Sequence, residues 1–197
     1  MKTSQRRILM GAVLLLGLSF GLTACDTASN QGSASADSQS AATGDRIKTT
    51  QTANKRVAKD NAQIQTADKS RPTRVIKQGT KIKMHFGDTV ITGVLNDSKT
   101  AKALIAKLPY TIHESRYDTD FCGTVDALPY NKSEEHYGWL NGDIDYATDA
   151  PYFTILFKGE ENSEQYGSQV NIGVITTPLA KISNLEGSYD VRIELDE

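Results

Sequence analysis

No phenylalanine, tyrosine or tryptophan occurs between Phe20 and Phe86. Over that stretch Ser, Thr, Ala, Gln, Asn and Asp dominate as far as about Ser70. A segment so poor in large apolar side chains cannot bury enough surface to offset the entropy of ordering it. A core can therefore be built only from the carboxyl-terminal part of the chain, and the polar stretch is expected to be a disordered tether. Residues 54–67, "NKRVAKDNAQIQTA", offer only Val57 and Ile64, seven apart, too little apolar face for more than a fleeting helix. About 48 flexible residues would reach roughly 35–40 Å, enough to carry a domain clear of lipid headgroups.

Charge divides near the same border. From Asp26 to Thr73 seven basic residues stand against five acidic ones, a net charge of +2. From Arg74 to Glu197 there are twelve basic and nineteen acidic residues, a net charge of −7. Nucleic-acid backbones and anionic lipid repel a domain with that balance, so neither is expected as its partner. The mildly basic tether could graze a membrane.

The opening, "MKTSQRR", places Lys2, Arg6 and Arg7 ahead of any acid. Ile8 to Phe20 then forms an uncharged run, "ILMGAVLLLGLSF", shorter than the ~20 residues of a bilayer span. Its length and cationic start suit a secretory signal. Leu22-Thr23-Ala24-Cys25 follows directly, and this stretch resembles the lipobox of bacterial lipoproteins. The resemblance implies that residues 1–24 are a cleaved signal peptide and that the Cys25 sulfur carries a diacylglyceryl group. The protein would then be extracytoplasmic, anchored to the cell membrane through that lipid. An ordinary signal peptide, or an anchor left uncut, is the competing reading. With Cys25 acylated, Cys122 has no partner within the chain, and the fold owes nothing to a disulfide although the compartment would permit one.

Three segments follow: the signal peptide at 1–24, Cys25 with its tether at 25–75, and one domain at 76–197. In the domain, Ile82, Met84 and Phe86 alternate with Lys81, Lys83 and His85, a period of two that marks a half-buried strand. Gly87-Asp88 makes a turn and "TVITGVL" returns as its hairpin partner. "NDSKTAKALIAKLP" is the clearest helix, with Asp97 or Ser98 as cap, Ala101, Leu104, Ile105 and Leu108 on one face, and Pro109 as stop. "PYFTILFKG" has apolar residues on both faces and predicts a strand covered on both sides. "SQVNIGVIT" is a further strand and "PLAKISNL" a short helical turn. In the last strand Tyr189, Val191, Ile193 and Leu195 are expected inward. The class is mainly β with minor α, and a small closed barrel would leave no exposed strand edges.

"FGDTVITGVLNDSKTAKALIAKLP", "GDIDYATDAPYFTILF", "NIGVIT" and "YDVRIEL", in that order, resemble the cyclophilin-like domains of bacteria. The resemblance implies a closed barrel with one main helix and a short second helix over nearly all of 76–197. It also raises prolyl isomerisation as an activity. True cyclophilins place an arginine in an "FHRxxP" strand followed by "QGGD". Such an arginine would stabilise the twisted prolyl amide, whose rotation barrier is about 18–20 kcal/mol. The corresponding stretch here, "TDFCGTVDALPYNKSEEH", has neither the arginine nor "QGGD", so no catalytic residue is carried over. Arg116 is the nearest cation but lies outside the motif.

The expected function is therefore binding of a peptide or small ligand, without isomerase activity, in a pocket framed by the loops of 117–142. Its candidate residues are Arg116, Phe121, His136 and Trp139. A prolyl isomerase built on a different arrangement is the rival reading, and a structural accessory subunit a third. His136, Tyr137 and Trp139 could hold a ligand by stacking and hydrogen bonding, or Trp139 could simply plug the barrel end. Cys122 reads as a packed residue, with a reactive thiol served by His113 as the alternative. His85 alternates with lysines and is expected in solvent. The acid pairs at 118–120 and 143–145 sit in no calcium-loop pattern, and no phosphate-loop, dinucleotide, zinc or nucleophile-elbow motif occurs. No metal or cofactor is expected.

Overall fold

The computed structural model describes residues 63–197. The expected signal peptide, the expected lipidation at Cys25 and the expected tether as far as residue 62 lie outside the described residues. A short ladder pairs β1 (Gln63–Ile64) with β2 (Arg74–Val75). Eight further strands follow: β3 (Thr80–Phe86), β4 (Thr89–Leu95), β5 (Tyr110–Arg116), β6 (Asp120–Thr124), β7 (Asp143–Ala147), β8 (Tyr152–Leu156), β9 (Gln169–Ile175) and β10 (Ser188–Leu195). They close a barrel in the order β10, β3, β4, β9, β7, β8, β6, β5, with β5 pairing back to β10 and every pair antiparallel. Closure satisfies each strand's outer hydrogen-bonding groups, as expected of a small closed barrel. Helix α1 (Lys99–Ile105) follows β4, and the single-turn α2 (Leu179–Ser183) follows β9. Among the described residues no helix is long and apolar enough to cross a membrane.

The periodicities translate directly into burial. Ile82, Met84 and Phe86 are in the core, and His85 faces outward to meet Glu194, Nε2 to Oε1 at 2.9 Å. Ser98 caps α1, its Oγ accepting from the Ala101 N–H at 3.1 Å, and Ala101 and Leu104 are buried beneath it. Phe153 to Phe157 are all buried, because β8 lies between β6 and β7 and both of its faces are covered. Each large apolar side chain so enclosed contributes about 1.5–3 kcal/mol. β10 departs from the pattern at its end: Val191 and Ile193 are fully buried, but Leu195 reaches the barrel rim and is 43% exposed.

The ordered unit also begins earlier than the residue-76 boundary expected from composition. Residues 63–75 pack against the barrel through polar contacts. The Thr73 N–H donates to Asn141 O at 2.8 Å, and the Leu179 N–H to Ser70 O at 2.9 Å. Gln65 Nε2 donates across the loop to Asp68 O and Pro72 O. Composition measures apolar content, and this segment is held by hydrogen bonds and by Arg74, so its order was invisible at that level.

Candidate functional site

β7 carries two carboxylates, Asp143 and Asp145, both completely buried. Their neighbours Ile144 and Tyr146 belong to the apolar core. A buried carboxylate needs a compensating charge or a proton. Asp143 has the charge: Arg74 donates Nε to Oδ1 at 2.6 Å and Nη2 to Oδ2 at 2.9 Å, and the Leu140 N–H adds a third bond at 2.9 Å. Burial works against the Arg74 cation, but the Asp143 carboxylate outweighs it, and the guanidinium is held above its ordinary value. Asp145 takes the other course. It accepts one bond from Asn171 Nδ2 at 2.9 Å, and its Oδ2 has no partner. Burial, reinforced by the Asp143 charge, pushes its carboxyl well above its ordinary value and favours the protonated form.

His136 is 1% exposed. Its backbone bridges to Gln169 in both directions, at 2.8 and 3.1 Å. Its Nδ1 lies 3.0 Å from the Gly138 carbonyl, which also accepts from Gln169 Nε2 at 2.7 Å. A carbonyl only accepts, so Nδ1 carries the ring proton and Nε2 presents a lone pair. Burial lowers the imidazole below its ordinary value; the Asp143 charge opposes this and the smaller effect of Arg74 adds to it. The ring is neutral, and Nε2 is buried without a partner.

His136 lines a cleft of about 290 Å³ together with Arg74, Lys77, Asn96, Glu134 and Asn171. One wall is the β2–β3 segment; the opposite wall is the 3-10 turn Lys132–Glu134 and β9. Glu134 Oε2 is likewise buried without a hydrogen bond. Two residues lining one cleft therefore each hold a buried, unused acceptor, and the Arg74 of that cleft is already tied to Asp143. Among the described residues no three acidic, histidine or cysteine side chains come together to hold a metal ion.

Of the four residues expected at the pocket, His136 alone lines this cleft. Phe121 is fully buried in the barrel core, edge-on to Phe86 with ring centroids 5.1 Å apart. Trp139 is 8% exposed and donates Nε1 to Lys158 O at 3.0 Å, with the Tyr166 ring 5.8 Å away. Arg116 donates to three carbonyls, those of Leu185, Tyr117 and Ser183, at 2.7, 2.7 and 2.9 Å. Its guanidinium also lies 5.0 Å from the centre of the Phe157 ring. It fastens the end of α2 to β5. The structure does not bring these four side chains together.

A second, more open concavity of about 560 Å³ runs along the outer face of β5 and β6, lined by His113, Tyr117, Asp120, Cys122, Thr124 and Tyr152 among others. It draws Asp120, Cys122, Gly123 and Thr124 from the stretch "TDFCGTVDALPYNKSEEH". None of its lining residues is lysine or arginine. Burial pushes Asp120 up to about 6. Burial, with the Asp120 and Glu114 charges adding to it, pushes the Cys122 thiol up to about 12. His113 lines the same trough, but its Nδ1 pairs with Asp190 at 2.8 Å. Glu114 is fully buried behind the sheet with both carboxylate oxygens unpartnered, and burial holds it well above its ordinary value.

Arg74, Glu134, Asp145 and Asn171 were not foreseen as site residues. Arg74 fell in the stretch assigned to the tether. The signal for it was "DIDYA": two acids inside an apolar strand require a cation, a proton or solvent.

The family model described as the cyclophilin-like family matches residues 84–194. Among solved structures, the chain is similar to the solution structure of the hypothetical protein AF2241 from Archaeoglobus fulgidus. The identity is 14%, the match covers 61% of this chain and 98% of that one, and the TM-score is 0.49. No curated protein matches the sequence.

Proposed function

We propose, for a chain that belongs to the cyclophilin-like family, that the domain binds a small polar ligand or the end of a peptide, is held outside the cytoplasm by lipid on Cys25, and lacks prolyl isomerase activity. The observation that carries this reading is the buried, neutral His136 whose Nε2 has no partner at the edge of a cleft. An unsatisfied buried acceptor costs about 1–3 kcal/mol, and a ligand donor recovers that cost on binding. A volume of about 290 Å³ suits a small molecule or one end of a longer one. The trough that would have to twist a prolyl amide has no cation in its lining, and the donors of Arg116 are committed to backbone carbonyls. The anchoring part of the reading is supported by the charge, apolar length and Leu22-Thr23-Ala24-Cys25 ending of the leader.

Trp139 is the only tryptophan in the chain and follows Gly138, whose carbonyl holds the His136 ring. Full-length protein titrated with short peptides and small amines or alcohols is expected to show a saturable change in Trp139 emission that His136→Ala abolishes. A protease-coupled assay on a proline peptide is expected to show no turnover. Turnover that disappears in Arg116→Ala would establish the isomerase instead. Mass spectrometry of the native protein should find an acylated Cys25 as the first residue; a free thiol there, or an intact leader, removes the anchor from the reading.

A further inference from the structure

We infer that the cleft recognises its ligand through a primary ammonium group, seated between the Nε2 lone pair of His136 and the carboxylate of Glu134. This rests on the reading of that cleft as the binding site. Two residues of its lining each carry a buried side-chain atom without a partner, and both atoms are acceptors, so a ligand that satisfies them must bring the hydrogens. Three of the other polar residues there are already committed. Arg74 is taken by Asp143, Asn96 Nδ2 donates to Asn171 O at 2.9 Å, and Asn171 Nδ2 reaches Asp145 Oδ1 and Gly173 O, each at 2.9 Å.

Charge points the same way. With Arg74 and Asp143 cancelling, the charged side chains left on the lining are Glu134 and Asp97 against Lys77. The surrounding domain carries a net charge of −7, which raises the local concentration of cations over anions. A hydroxyl could satisfy one acceptor. An ammonium carries three donors and a charge in a compact group, so it meets the neutral imidazole and the carboxylate at once. Lys77, on the opposite wall, leaves room for a carbonyl or carboxylate further along the ligand, as in an amino acid or the amino end of a peptide.

The test uses full-length ¹⁵N-labelled protein in detergent micelles, titrated with alanyl-alanine, with N-acetyl-alanyl-alanine and with propylamine. The inference expects alanyl-alanine and propylamine to shift the His136 Nε2 resonance toward its hydrogen-bonded position. It expects acetylation to weaken binding by about tenfold or more, and Glu134→Gln to weaken the amine probes by a similar factor, since a charge-assisted hydrogen bond is lost in each case. Equal or tighter binding of the acetylated peptide, with the same cleft resonances moving, overturns the ammonium assignment while leaving the cleft as the site. Failure of every probe to move Glu134, His136 or Asn171 overturns the cleft reading and this inference with it.

Discussion

Arg74 grips Asp143 through two parallel hydrogen bonds, Nε to Oδ1 at 2.6 Å and Nη2 to Oδ2 at 2.9 Å, with both side chains all but sealed from solvent. The pair joins the β1–β2 ladder to the barrel, and Arg74 lines the cleft. Cutting the guanidinium away in Arg74→Met strands a buried carboxylate and is expected to cost about 3–5 kcal/mol. The double variant Arg74→Met with Asp143→Asn should recover much of that loss, because the asparagine oxygen still accepts the Leu140 N–H and no charge is left behind. Urea denaturation of the four members of this cycle measures the coupling. Additive single effects would show that the pair holds nothing together.

Asp120 gives the stability a pH dependence of defined sign. In the unfolded chain its carboxyl loses its proton near the ordinary value of about 3.9. In the fold, burial keeps the proton on until about 6. The folded state therefore binds more protons across that window, so this contribution is fully present below about pH 4 and is lost as pH rises through 6. The loss is at most about 3 kcal/mol, taking 1.36 kcal/mol per unit. Asp145 and Glu114 are raised in the same direction and extend the decline upward. His136, lowered by burial, acts oppositely and gains stability as pH rises toward its ordinary value of about 6.5. The difference between wild type and Asp120→Asn isolates the first effect. It should grow in favour of the variant from pH 4 to pH 6 and then level, as read from urea midpoints.

The same trough should make Cys122 a poor nucleophile. Its thiol is pushed up to about 12 from an ordinary value near 9, so at pH 8 the thiolate is about a thousandfold scarcer than in an unstructured cysteine. Iodoacetamide should label Cys122 slowly in the native protein and rapidly in urea. Native labelling at the ordinary rate would mean that the buried surroundings and the Asp120 and Glu114 charges do not hold the proton on.

Much of the barrel was legible because its strands alternate over one buried face. Ile82, Met84 and Phe86 could be placed from period alone, as could α1 from Ser98 and the Ala101–Leu104 spacing. The site was far less legible. Phe121 looked like a loop aromatic, yet in β6 it alternates inward between the outward Asp120 and Cys122, a pattern of only five residues. Arg116 looked like a free cation, but its donors end on carbonyls of residues 183 and 185, almost seventy positions away. Nothing local encodes a pairing at such a distance. Arg74 and Asp143 are likewise 69 positions apart, and neither composition nor periodicity records which buried acid meets which cation.

Gly142 provides the last test, because it packs against Pro72, two residues before Arg74. Its φ is +99°, a conformation that side-chain-bearing residues rarely adopt, and a Cβ there would stand 2.4 Å from Pro72 Cβ. Gly142→Ala must therefore strain the loop, push Pro72 away, or both, at about 1–3 kcal/mol. Pro72 immediately precedes Thr73, whose N–H is bonded to Asn141 O, so displacing Pro72 loosens the attachment that lets Arg74 reach Asp143. A control with the same strain and no collision is Gly187→Ala, where φ is +84° and nothing lies within 4 Å. Trypsin should cut the Gly142→Ala variant after the exposed Lys69 several-fold faster than wild type, and the Gly187→Ala variant at nearly the wild-type rate. Equal cutting in all three proteins would mean that the contact between Pro72 and Gly142 does not hold the segment in place.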